Sequence, residues 1–170
     1  MKHLILGGAR SGKSRFAEAA GLATHKTLTY IATSQALDSE MHARIHHHKV
    51  SRDARWKTVE EPVHLAAVLQ QHAAADTCIL VDCLTLWLTN LLLAGDAIFT
   101  RERDALLNTA PQLAGDVFFV SNEVGMGIVP LDPLSRRFVD EAGRLHQQLA
   151  NTCDAVTLIV AGLPLSLKKP

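Results

Sequence analysis

Gly7, Gly12, Lys13 and Ser14 stand in the G-x-x-x-x-G-K-S/T spacing within GGARSGKS, directly after an apolar run and ahead of a helical pattern. That strand–loop–helix context is the one a phosphate-binding loop requires. Each position has a chemical reason. Glycines at 7, 8 and 12 let the backbone close around phosphate oxygens, and Gly12 is free to take a conformation that a Cβ disfavours. Backbone N–H groups from Ala9, Arg10 and Ser11 into the helix start point at the anion. Lys13 supplies a point charge near the β- and γ-phosphates, and the Ser14 hydroxyl suits Mg²⁺. A Mg²⁺ site also needs an acid at the end of a neighbouring strand. Asp82, closing CILVD, is the leading candidate, and Glu123 in VSNEVGMG is the other. These residues imply binding of a nucleoside triphosphate. They leave open whether the γ-phosphate goes to water, a small molecule or a protein.

The second chemically loaded stretch is RIHHHKVSR (44–52), with three consecutive histidines. The preceding LDSEM predicts a helix over 39–50, with Asp38 or Ser39 as N-cap. At about 100° per residue the three rings cannot share one task. His48 falls on the face marked by Met41 and Ile45, one turn from Arg44, whereas His46 points away and His47 lies at the flank. Three readings stand. His42 and His46 could begin a metal site at i, i+4, although no neighbouring Cys or Asp completes it. The histidines could form a solvated helix face. Or one imidazole could attack phosphorus, with Lys49 and Arg52 stabilising the developing charge.

The elements that must position these residues alternate along the chain. Continuously apolar runs at 3–8, 27–34, 78–85, 116–125 and 155–162 read as strands covered on both faces. Helical patterns occupy 12–23, 39–50, 62–75, 86–94, 99–113 and 133–151. In the last, Leu134, Phe138, Ala142, Leu145 and Leu149 form one apolar stripe. The expectation is an α/β fold, a P-loop NTPase-like three-layer arrangement with a mostly parallel central sheet. The tail GLPLSLKKP reads as short, with loose final residues. At 170 residues, without repeats or a linker, residues 1–170 are expected to form one nucleotide-binding catalytic domain. Zero net charge argues against a generic nucleic-acid or membrane partner. No apolar run is long enough for a signal peptide or a membrane span. Cys78, Cys83 and Cys153, an odd number without a CxxC pair, fit reduced thiols in a cytoplasmic protein.

With GGARSGKS, YIATSQ, DSEMHARIHHHKVSRDARWKTVEEP and SNEVGMGIVP in view, the chain resembles the bifunctional adenosylcobinamide kinase / adenosylcobinamide-phosphate guanylyltransferase family of bacterial cobalamin synthesis. The motifs occur in the family's order over nearly the whole chain. The phosphate loop is generic, but R-I-x-x-H-K followed by W-x-T-x-E, together with N-E-V-G-M-G-I-V-P, is specific. The resemblance implies two reactions. The aminopropanol hydroxyl of adenosylcobinamide is phosphorylated with ATP or GTP, and GMP then passes from GTP to adenosylcobinamide phosphate through a covalent histidine–GMP intermediate. It assigns the nucleophile to His48, with His47 as the one-residue alternative. It also implies that Gly7 to Ser14 hold triphosphate and that Ala32, Thr33 and Ser34 line the nucleotide. Lys49, Val50, Ser51 and Arg52 would contact it, with Glu60 and Asp82 at the same site. The NEVGMGIVP segment would form a substrate-side loop, and the chains would assemble as homotrimers. Asp82 departs from several relatives, which carry Glu there, and the segment around 95–112 is shorter than in some. The rival reading is a P-loop small-molecule kinase without guanylyl transfer; another is a nucleotide-dependent switch protein.

Overall fold

The structure, a computed structural model, describes residues 1–35 and 53–170. The helix expected over 39–50, including His42 and His46 to His48, and the neighbouring Lys49 to Arg52 lie outside the described residues.

The strands are β1 (Lys2–Gly7), β2 (Thr27–Ala32), β3 (Lys57–Glu60), β4 (Thr77–Asp82), β5 (Asp116–Asn122), β6 (Ala155–Val160) and β7 (Leu163–Lys168). They form a seven-stranded sheet in the order β3-β2-β4-β5-β1-β6-β7. All pairings are parallel except β6 with β7. The helices are α1 (Lys13–Leu22), α2 (Leu65–His72), α3 (Leu84–Ala94), α4 (Asp96–Thr109) and α5 (Pro133–Thr152), with a 3₁₀ turn at Ala110–Gln112.

The unbroken apolar runs have a direct cause, because alternate side chains enter two different cores. Leu4, Leu6, Ile79, Val81, Val117 and Phe119 face the core built with α2 to α5, where Leu69, Trp87, Leu106 and Leu145 are buried. Ile5, Leu80, Phe118 and Val120 face the other side, packed with Ala17 of α1 and with Trp56. Both faces are therefore covered, as a parallel sheet demands. Helix starts follow local chemistry. Asp132 caps α5 by accepting from the Ser135 N–H at 2.8 Å, with Pro133 in the first turn.

Several boundaries differ from the sequence reading. Thr33 and Ser34 lie beyond β2, and Leu84 and Thr85 open α3 rather than closing β4. The pattern at 99–113 is α4 from Asp96 followed by the 3₁₀ turn. Two strands had no clear signal. β3 has four residues and is mostly exposed, so it carries no apolar run. Most of the tail GLPLSLKKP is β7, an antiparallel edge strand, and only Lys169 and Pro170 lie beyond it. Lys168 anchors it by donating to the carbonyls of Ala150, Asn151 and Cys153 at the C-terminal end of α5. A lysine there satisfies carbonyls the helix leaves open and meets the negative end of its dipole.

Two core histidines make stability depend on pH. His3 accepts or donates to Thr157 Oγ1 at 2.8 Å, and His146 Nε2 lies 2.7 Å from Ser121 Oγ. Burial lowers the pKa of both rings. Below the ordinary imidazole value of about 6.5 the unfolded chain therefore binds more protons than the folded one, so stability falls as pH drops. Urea unfolding is expected to show a midpoint that is flat above pH ~7 and declines toward pH ~5.5. A midpoint that rises over that interval would contradict the burial argument.

Candidate nucleotide site

The C-terminal ends of the parallel strands converge, and this is where open α/β sheets bind ligands. After β1 the chain makes the loop Gly7 to Gly12 and enters α1. Gly12 has φ 96°, the left-handed region, and Arg10 has φ 55°. Ser11 N–H donates to the Gly8 carbonyl at 3.2 Å, folding the loop on itself. Gly162, in the turn between β6 and β7, donates to the Ser11 carbonyl at 2.9 Å. Glu123 N–H donates to the Gly7 carbonyl at 3.0 Å from the other flank. Lys13 is buried, and its Nζ donates to the Gly8 carbonyl at 3.1 Å. Gly8, Ala9 and Arg10 are exposed, and Ser14 is half-buried in the first helical turn. The first turn of α1 contains no acid, so the helix itself sets no carboxylate against the positive end of its dipole.

The next positions come from β2, β3 and β4. Ala32 is in register with Glu60 on one side and Asp82 on the other. The fold therefore brings the three together although they are far apart in the sequence. Asp82 Oδ2 accepts a hydrogen bond from the Tyr30 hydroxyl at 2.9 Å. Oδ1 accepts none among the described residues. Lys13 and Asp82 both act electrostatically on the Cys83 thiol, which places the loop ammonium and the strand-end carboxylate in one neighbourhood. Ser14 and Asp82 offer only oxygen, the donor type that Mg²⁺ takes together with phosphates and water.

Thr33 behaves differently from a lining residue. It is fully buried, its hydroxyl donates to the Cys83 carbonyl at 2.7 Å, and the same oxygen accepts from Cys83 N–H at 2.9 Å. Its side chain clamps β2 to the start of α3. Asn90 adds a second clamp, with Nδ2 donating to the carbonyls of Thr33 and Pro62. Ser34 is half-buried just beyond, and Glu60 is exposed at its strand end.

The thiols supply no nucleophile. Burial pushes Cys78 up to about 11 and Cys153 up to about 12, and it raises Cys83 as well. Each stays protonated near neutral pH. Among the described residues no cluster of three His, Cys, Asp or Glu side chains could hold a metal by itself.

The glycine loop, buried lysine, helix N-terminus and strand-end carboxylate on a parallel sheet define a P-loop nucleotide-binding protein. Solved structures agree on the fold. A Pyrococcus horikoshii OT3 protein, PH0250, superposes with a TM-score of 0.56 at 10% identity over 99% of this chain and 86% of its own. RadB recombinase gives 0.52 at 15% identity over 92% and 73%. The sequence resolves the class further. Residues 3–167 match the family described as cobinamide kinase / cobinamide phosphate guanyltransferase, and the chain belongs to that family. It is 56% identical to the bifunctional adenosylcobalamin biosynthesis protein CobP of Pseudomonas aeruginosa, over 99% of this chain and 98% of that one. It is 42% identical to CobU of Salmonella typhimurium, over 99% and 100%.

Sequence reasoning did not single out Tyr30, Asn90, Ser121, His146 or Gly162. Tyr30 sits within an apolar strand and does not break its pattern, whereas Asn90 interrupts an apolar helix. A polar residue at a buried position of α3 was the available sign.

Replacing Lys13 by Met keeps the stem and removes the ammonium. Charge-assisted contacts to phosphate of this kind predict a loss of GTP affinity of about 100-fold. Calorimetric titration, with a melting curve to show intact folding, measures it; a loss under about threefold would mean the loop binds without the lysine.

Proposed function

We propose that this protein phosphorylates the aminopropanol hydroxyl of adenosylcobinamide with GTP or ATP and then converts adenosylcobinamide phosphate to adenosylcobinamide-GDP. Membership in the family carries the reading, and the loop from Gly7 to Ser14 supports it by supplying the triphosphate cradle both reactions need. Residues 1–170 act as one catalytic domain in the cytoplasm.

In the first reaction the loop N–H groups and Lys13 orient the β- and γ-phosphates. Ser14 and Asp82 would hold Mg²⁺, which would supply charge neutralisation of the phosphates. Tyr30 fixes the Asp82 carboxylate through its hydroxyl. In the second, His48 displaces pyrophosphate from GTP to form a phosphoramidate, and the acceptor phosphate then takes the GMP. Lys49, Val50, Ser51 and Arg52 contact the nucleotide beside it, with Ala32, Thr33, Ser34 and Glu60 along the same edge. Thr33 contributes through its backbone, because its hydroxyl is committed to Cys83. The high thiol pKa values favour an imidazole as the covalent group.

GTP radiolabelled at the α-phosphate, incubated with enzyme and Mg²⁺ and resolved on a denaturing gel, tests the covalent step. An acid-labile, base-stable label absent from His48→Ala and present in His47→Ala is expected. Loss in His47→Ala alone would move the nucleophile by one residue. A wild type that binds GTP and stays unlabelled would leave a kinase without guanylyl transfer.

The chain is further proposed to act as a homotrimer. The exposed edge strand β7 presents Leu163, Leu165 and Leu167 on one face, with Val160 beside them. An uncovered apolar edge of this kind favours a partner. Light scattering after gel filtration should give three times the 18.5 kDa chain mass. A monomer at micromolar concentration would refute the assembly.

A further inference from the structure

Transfer of a phosphoryl group to an alcohol requires a group to take the hydroxyl proton as the new bond forms. Two carboxylates, Asp82 and Glu123, stand at strand ends beside the loop. Asp82 is held by Tyr30 and serves the metal. Glu123 stands at the end of β5, between the strand of Asp82 and the loop, where its own N–H is bonded to Gly7. Its side chain is 22% exposed, so it is restrained yet open to a ligand. Oε1 accepts from Gly125 N–H at 2.6 Å, which fixes the carboxylate plane. Oε2 lies 4.0 Å from His146 Nδ1. On the far side of that ring, Nε2 lies 2.7 Å from Ser121 Oγ.

The imidazole thus stands between serine and carboxylate, hydrogen-bonded to the first and 4.0 Å from the second. Ser121 is 1% exposed and reaches no substrate. The accessible end is the carboxylate. In the tautomer that accepts from the Ser121 hydroxyl at Nε2, the ring proton sits on Nδ1, on the side of Glu123. Burial lowers the pKa of His146, so a neutral ring stands beside the Glu123 carboxylate at 4.0 Å. Immediately beyond, Met126, Ile128, Val129 and Leu131 are exposed, an apolar surface suited to a bulky acceptor rather than to phosphates.

We propose that Glu123 is the general base of the kinase step and that His146, backed by Ser121, is its positioning residue. The inference rests on the kinase activity proposed above. The hydroxyl oxygen forms its bond to the γ-phosphorus while the bond from that phosphorus to the β,γ-bridging oxygen breaks. Its electron pair leaves on the nucleoside diphosphate. The hydroxyl proton passes to Glu123 Oε2 and is returned to water after product release.

The test uses the full chain with cobinamide and GTP radiolabelled at the γ-phosphate. Glu123→Gln is expected to lower kcat about 100-fold or more while GTP affinity and the KM for cobinamide stay within about threefold. Glu123→Asp should recover part of the rate. His146→Asn places an amide where Nδ1 stands and should hold kcat within about threefold; His146→Gln reaches only toward Ser121 and should lower it about tenfold. Unchanged kcat in Glu123→Gln overturns the proposal. So does loss of GTP affinity in that variant, which would mark Glu123 as a brace for the loop. Equal effects of the two His146 variants would remove the positioning role. A wild type that binds GTP but phosphorylates no cobinamide would overturn the activity itself, and the inference with it.

Discussion

A Cβ at Gly7 would lie 2.4 Å from Ser11 Oγ and 2.7 Å from the Ile159 carbonyl. The last residue of β1 is therefore wedged between its own loop and the neighbouring strand β6, with no room for a side chain. That close approach carries much else. It lets Glu123 and Gly162 bond to the loop from opposite sides, so β5 and the β6–β7 turn hold its two walls. It also brings the start of α1, with Lys13 and Ser14, over the sheet end. The loop is held by these neighbours as well as by its own Ser11 and Lys13 bonds to the Gly8 carbonyl, which is how a binding site avoids ordering costs when its ligand arrives.

Behind the loop, the site depends on buried polar groups that are satisfied. Thr33, Asn90, Tyr30 and Ser121 each have a partner fixed by another strand or helix. Such groups are costly to bury alone and rigidifying once paired. Together they tie β2, β4, β5, α3 and α5 at the end of the sheet where chemistry is placed. Two apolar cores supply the cohesion, and this polar layer sets positions to within hydrogen-bond tolerances.

The acids lie along the same edge. Glu60 and Asp82 flank Ala32, while Glu123 directly follows β5, the strand between β4 and β1, and leads into the exposed apolar stretch 126–131. The three acids therefore line neighbouring strand ends on one side of the phosphate loop.

Much of this was legible in the chain. GGARSGKS after an apolar run announced the loop, because its glycine and lysine positions have few other uses. Five apolar runs announced strands buried on both faces, and each holds. Asp82 was placed at a strand end by CILVD alone. Short and edge elements were not legible: β3 has too few residues for a pattern, and β7 exposes its leucines, so neither carries the signature of burial. Nor was the function of single polar residues. Nothing in Ser121, Glu123 and His146 as letters says that one ring will stand between the other two. That decision belongs to the packing of α5 against β5, since hydrogen-bond partners 25 residues apart are chosen by geometry that only the folded core supplies.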